Sequence, residues 1–198
     1  MKRLTLAILL AGLAGCGSSK ASRFYYLKPI PEAERATQSP EDAPVIGVGP
    51  ITIPQRFDRP NILTTTGTHE LRLAEFHRWA EPMEENLANV LGENLAALIG
   101  TDWIYYHPWR STTHIDYQVS VRLLQVSGTP GGTVTLTARW TIYGNQKVLV
   151  NRKSVFSRET AAPKDKEDHP YEELIAEFNE LVNDLSREIA EAIRQQRD

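Results

Sequence analysis

The sequence predicts an α/β fold. Two stretches carry apolar residues at helical spacing, and between them three strands alternate with a period of two around two glycine-bearing turns. At 198 residues, with 41% hydrophobic and 24% charged residues, the chain has the size and usage of one globular domain with a short appendage. A formal charge of −3 and no concentrated basic patch argue against nucleic-acid binding. With one cysteine, no disulfide within the chain and no thiolate metal cluster is available.

The first element is an export signal. Lys2 and Arg3 precede an apolar run over residues 4–13, and Leu13-Ala14-Gly15-Cys16 closes it. The run is too short for a membrane-spanning helix. The expected organisation is a signal peptide over residues 1–15, a cysteine with a short polar tether over 16–22, and one domain over 23–198. Cleavage falls between Gly15 and Cys16. Losing Lys2 and Arg3 takes the 22 basic residues to 20 against 25 acidic, so the mature chain carries −5 and does not hold anionic lipid by net charge.

The domain follows in order. Residues 23–27 are aromatic-rich and read as a strand, and residues 29–44 as a long exposed loop too polar for the core. Residues 45–53 form a strand. Its Gly47 and Gly49 lack the following helix of a dinucleotide fingerprint, and mark a bulge or a close backbone approach instead. After a loop over 54–60 come a short strand at 61–64, a turn, and a strand at 70–76 in which Leu71 and Leu73 alternate with Glu70 and Arg72. A helix starts at Pro82, buries Met83, Leu87, Val90, Leu91, Leu95 and Leu98, and stops at Gly100. Gly92 weakens its interior and marks a place where it lies against the sheet.

A strand over 103–106 ends at Pro108-Trp109-Arg110. The meander follows: Tyr117 to Leu123, Val134 to Ile142, and Lys147 to Phe156, joined at Gly128-Thr129-Pro130-Gly131-Gly132 and Gly144-Asn145. Residues 161–170 are a polar loop. The last helix, over 171–195, extends roughly 37 Å and presents Leu174, Phe178, Leu181, Leu185 and Ile189 as a seam that packs on its own sheet.

Reaction chemistry leaves no pattern. The five histidines, His69, His77, His107, His114 and His169, include no H-E-x-x-H pair, and no G-x-S-x-G elbow occurs. The expectation is a protein without catalysis, metal or cofactor.

Leu-Ala-Gly-Cys resembles the lipobox of bacterial lipoproteins, which implies a diacylglycerol thioether and an N-acyl chain on Cys16. Gly17 in place of aspartate resembles the outer-membrane sorting pattern. Residues 46–98 resemble the PqiC/YmbA-like family of ABC-type transport auxiliary lipoproteins, above all through Pro54, Asp58-Arg59-Pro60 and Leu73-Ala74-Glu75-Phe76-His77-Arg78-Trp79-Ala80-Glu81-Pro82. Phe24-Tyr25-Tyr26-Leu27 and Tyr106-His107-Pro108-Trp109 are similar too. The resemblance implies a three-layer α/β domain with a mixed sheet. It also implies a non-enzymatic subunit of an MCE-type envelope lipid transporter at the periplasmic face of the outer membrane, docking or stabilising the machinery and supporting membrane integrity. The implied partners are an MCE-domain protein and outer-membrane lipid, with a homo-oligomer left open. Carried over as interface candidates are Arg59, Trp79, Trp109 and Arg110. The alternative is a periplasmic lipid-binding carrier.

Overall fold

The computed structural model describes residues 21–34, 36, 43–66, 69–161 and 170–197. Ten elements follow in order: β1 (Arg23–Tyr25), β2 (Ile46–Thr52), β3 (Asn61–Thr66), β4 (Glu70–Trp79), α1 (Met83–Ile99), β5 (Ile104–Tyr106), β6 (Tyr117–Gly128), β7 (Thr133–Gly144), β8 (Lys147–Glu159) and α2 (Pro170–Arg194). The strands form two mixed sheets. The larger has the order β5-β2-β6-β7-β8 and the smaller β1-β4-β3.

In the larger sheet β2 runs parallel to both neighbours, β5 and β6. Strands β6, β7 and β8 form the antiparallel meander, with Val119 opposite Ile142 and Ile142 opposite Val150. The β7–β8 turn places Asn145 and Gln146 at φ 49° and 61°, the left-handed pair that a two-residue hairpin needs.

Both helices pack on the larger sheet and against each other. Leu87, Leu91 and Leu95 of α1 and Leu181, Leu185, Ile189 and Ile193 of α2 are sealed from solvent with Val119, Leu136, Trp140 and Ile142. Each such side chain contributes about 1.5–3 kcal/mol by leaving water. Gly100 ends α1 at φ 78°, as the sequence predicts, while the helix starts at Met83, one residue after the expected Pro82, which holds the extended N-cap position. Gly92 meets the Tyr106 ring so closely that an added Cβ would lie 2.6 Å from it.

The small sheet closes the end of the molecule where the helices begin. Phe57, Ile62, Trp79 and Met83 join Leu174 and Phe178 there in the same apolar core. The expected helix-and-sheet packing is therefore present, but the strands divide between two sheets. Strand β4 also differs in detail. Leu71 and Leu73 are 46% and 48% exposed, while Ala74 is buried. A register shift against β3 between Asn61 and Leu63 changes which face turns inward.

The segment after β1 differs from the expected exposed loop. Leu27 and Ile30 are buried, and one 3-10 turn forms at Glu32–Glu34.

Candidate anchoring and docking surfaces

Residues 27–34 and 36 form a strap along the groove between α1 and α2. The Leu27 amide donates to Asn86 Oδ1 at 2.6 Å, Lys28 to Asn179 Oδ1 at 2.6 Å and Ile30 to Asn94 Oδ1 at 2.7 Å. Further along, Arg187 makes a two-pronged contact with the Glu34 carboxylate at 2.9–3.1 Å, and the Ala36 amide donates to the Ala97 carbonyl at 2.8 Å. The partners advance along both helices together, so the strap runs from their N-terminal ends towards their C-terminal ends.

Asn94 is the hub of this strap. It is fully buried, and its Nδ2 donates to Asn183 Oδ1 and Ser186 Oγ, each at 3.0 Å. A buried amide is tolerated when its donors and acceptor are all used. Asn94 meets that condition while joining the strap to both helices. Sequence reading missed this site, although Asn86 and Asn94 stand among the apolar positions of α1 as a visible signal.

The interface candidates do not come together. Trp79 is only 8% exposed and tilts against Phe178 with ring centroids 6.2 Å apart, so it packs the core and offers a partner no surface. Arg59 is exposed beyond the C-terminal end of β2. Trp109 lies at the opposite end of that strand. Its ring covers Gly47, where an added Cβ would sit 3.0 Å away, and meets His107 edge-on at 5.5 Å. Arg110 beside it is exposed. Cys16 and Gly15 lie outside the described residues.

Gly49 needs its lack of a side chain. Its φ is +122°, and a Cβ there would fall 2.6 Å from His107 Cβ. The two strand glycines thus mark both of the features expected, a close approach and a register shift between Val48 and Ile51.

Trp109 and Arg110 belong to a larger aromatic edge. Strand β5 is a sheet edge of three residues. Trp103 before it is 56% exposed, and Tyr105 and Tyr106 are also exposed. Partial burial, together with Glu93 nearby, holds the Tyr106 phenol above the usual tyrosine range.

These features define the two ends of the molecule. Strand β1, the start of α1 and the start of α2 lie at one end. Trp103, the turn at Gly144 and the end of α2 lie at the other, where Thr101 Oγ1 donates to the Pro44 carbonyl at 2.8 Å and the Arg194 guanidinium to the Leu98 carbonyl at 2.8 Å. Among the described residues no helix is long and apolar enough to cross a membrane, and no group of three or more His, Cys, Asp or Glu could hold a metal ion.

Residues 25–190 match the family model of the ABC-type transport auxiliary lipoprotein component, and the chain belongs to that family. It is 22% identical over 152 residues to the intermembrane transport lipoprotein PqiC of Escherichia coli strain K12, covering 77% of this chain and 79% of that one. The PqiC of Shigella flexneri matches to the same extent. Two solved structures share the fold. One, an uncharacterized protein, has a TM-score of 0.69 at 18% identity, covering 88% of this chain and 99% of the other. A protein of Xanthomonas campestris has a TM-score of 0.65 at 14% identity, covering 88% and 98%.

Proposed function

We propose that this chain is a non-enzymatic, lipid-anchored subunit of an envelope lipid transport system of MCE type. It sits on the periplasmic face of the outer membrane and docks the periplasmic machinery there. Acyl chains on Cys16 provide the anchor, and two or more such chains make it durable. The intermembrane transport role comes from the relatives named above.

One observation carries the reading. The chain enters the domain at β1, at one end, and an aromatic edge of exposed Trp103, Tyr105 and Arg110 with half-buried Trp109 lies at the other. An adaptor between a membrane and a partner needs this polarity. Tryptophan, tyrosine and arginine are the side chains that most often dominate protein interfaces. The carrier reading has less support. The cavity enclosed by Phe57, Trp79, Val126 and Phe178 measures about 30 Å³, room for about one water molecule, and the groove of about 610 Å³ between β1 and α2 is open to solvent and carries Glu172, Glu177 and Glu180.

The test is crosslinking in mild detergent. A photoreactive group at Trp103 or Arg110 of the full lipoprotein captures an MCE-domain protein, whereas one at Val155 does not. Recovery of the acylated chain with no MCE-domain protein from either site overturns the proposal.

A further inference from the structure

We propose that the outward face of β1 is a seat for the bilayer surface itself, with Phe24 and Tyr26 resting among the lipid headgroups. This rests on the reading of Cys16 as the lipid anchor.

The argument begins with distance. Between Cys16 and Arg23 stand the six residues Gly17 to Ser22, which reach about 20 Å at full extension. A small folded domain is about 30 Å across. No folded partner fits between the start of β1 and the membrane, so β1 stays within about 20 Å of lipid.

The chemistry of that surface matches. Tyr25 and Trp79 pair across the β1–β4 ladder and turn inward, whereas Phe24 pairs with Arg78 on the opposite face. Phe24 is 62% exposed and Tyr26 54% exposed, although both are large and apolar in the main. Aromatic rings with a wet side and an apolar side settle at the membrane interface. Lys28 stands beside them, and Arg23 lies at the start of the strand on the face of Tyr25. Arg23 and Lys28 are exposed, and Lys28 Nζ stands 5.4 Å from the centre of the Tyr26 ring. Arg78, half-buried, is the ladder partner of Phe24. This local rim suits lipid phosphates although the mature chain as a whole is acidic, because screening confines such attraction to about 10 Å. Arg23, Phe24, Tyr26 and Lys28 line one side of a groove whose other side carries Glu172, Glu177 and Glu180 of α2. Those carboxylates repel phosphate, so headgroups meet the two rings and Lys28 at the mouth of the groove and do not enter it.

The experiment uses the full acylated chain in vesicles of phosphatidylethanolamine and phosphatidylglycerol. A nitroxide is attached to F24C, to Y26C or, as a water-facing reference, to V155C, and its collision rate with a water-soluble nickel quencher is read by spin resonance. The natural cysteine takes no label when acylated, so the unsubstituted chain stays silent. Labels at 24 and 26 are expected to be about threefold less accessible than at 155 once the chain is in vesicles, and equally accessible in dilute detergent. Equal accessibility at all three positions in a chain that floats with the vesicles overturns the seat and leaves the anchor standing. Shielding that arises only after a protein partner is added also overturns it. A chain that labels at Cys16 and does not float overturns the anchor and the seat together.

Discussion

Asn94 holds three groups from the middle of an apolar helix face. Replacing it by alanine leaves the buried Ile30 amide without an acceptor and removes the link to Asn183 and Ser186. The expected loss for Asn94→Ala is about 2–3 kcal/mol, measured by urea unfolding. Glu34→Gln, which weakens a partly exposed ion pair with Arg187, costs at most about 1 kcal/mol in the same assay. Gly49→Ala combines a forbidden backbone angle with a collision against His107, and the thermal midpoint reads a loss of about 2 kcal/mol or more. The glycine was legible as a feature, because a strand interior rarely carries two. The role of Asn94 was not, since its strap partner lies 64 residues away in sequence.

Local chemistry explains which elements the sequence disclosed. Pro82 and Gly100 act on the backbone beside them, so the ends of α1 could be read directly. The meander showed its period of two because one face of it is buried throughout β6 and β7. Leu71 and Leu73 misled because alternation reports a face, not whether anything covers it. The strap was hidden for a related reason. Its polar composition reads as loop, yet its amides find acceptors on two helices that come later in the chain. Hydrogen exchange checks this at the scale of the element. The amides of Leu27 and Ile30 are expected to exchange as slowly as the helix core, unlike an ordinary chain terminus. Asn86→Ala is expected to speed exchange at Leu27 about tenfold while β7 stays protected.

Across the whole molecule, the interface set drawn from the sequence proved scattered. Trp79 is in the core, Arg59 stands beyond one end of β2, and Trp109 with Arg110 lies at the other. A tryptophan in a linear sequence does not reveal whether it fills a core or an edge; only the packing of α2 against Trp79 decides it. Cys16→Ser is expected to move the protein from the membrane pellet to the soluble fraction without changing its unfolding midpoint, because the domain's core begins at Leu27. Fractionation and a melt of the same sample check both halves. The strap, finally, sets how tension would pass through the protein. With Cys16 acylated as proposed, a pull on that end acts lengthwise on a chain fastened at Leu27, Lys28 and Ile30, so those fastenings share the load in shear instead of unzipping one by one. Membrane undulations or a tugging partner then strain the paired helices as a unit, and the tether cannot be peeled away from the body it moors.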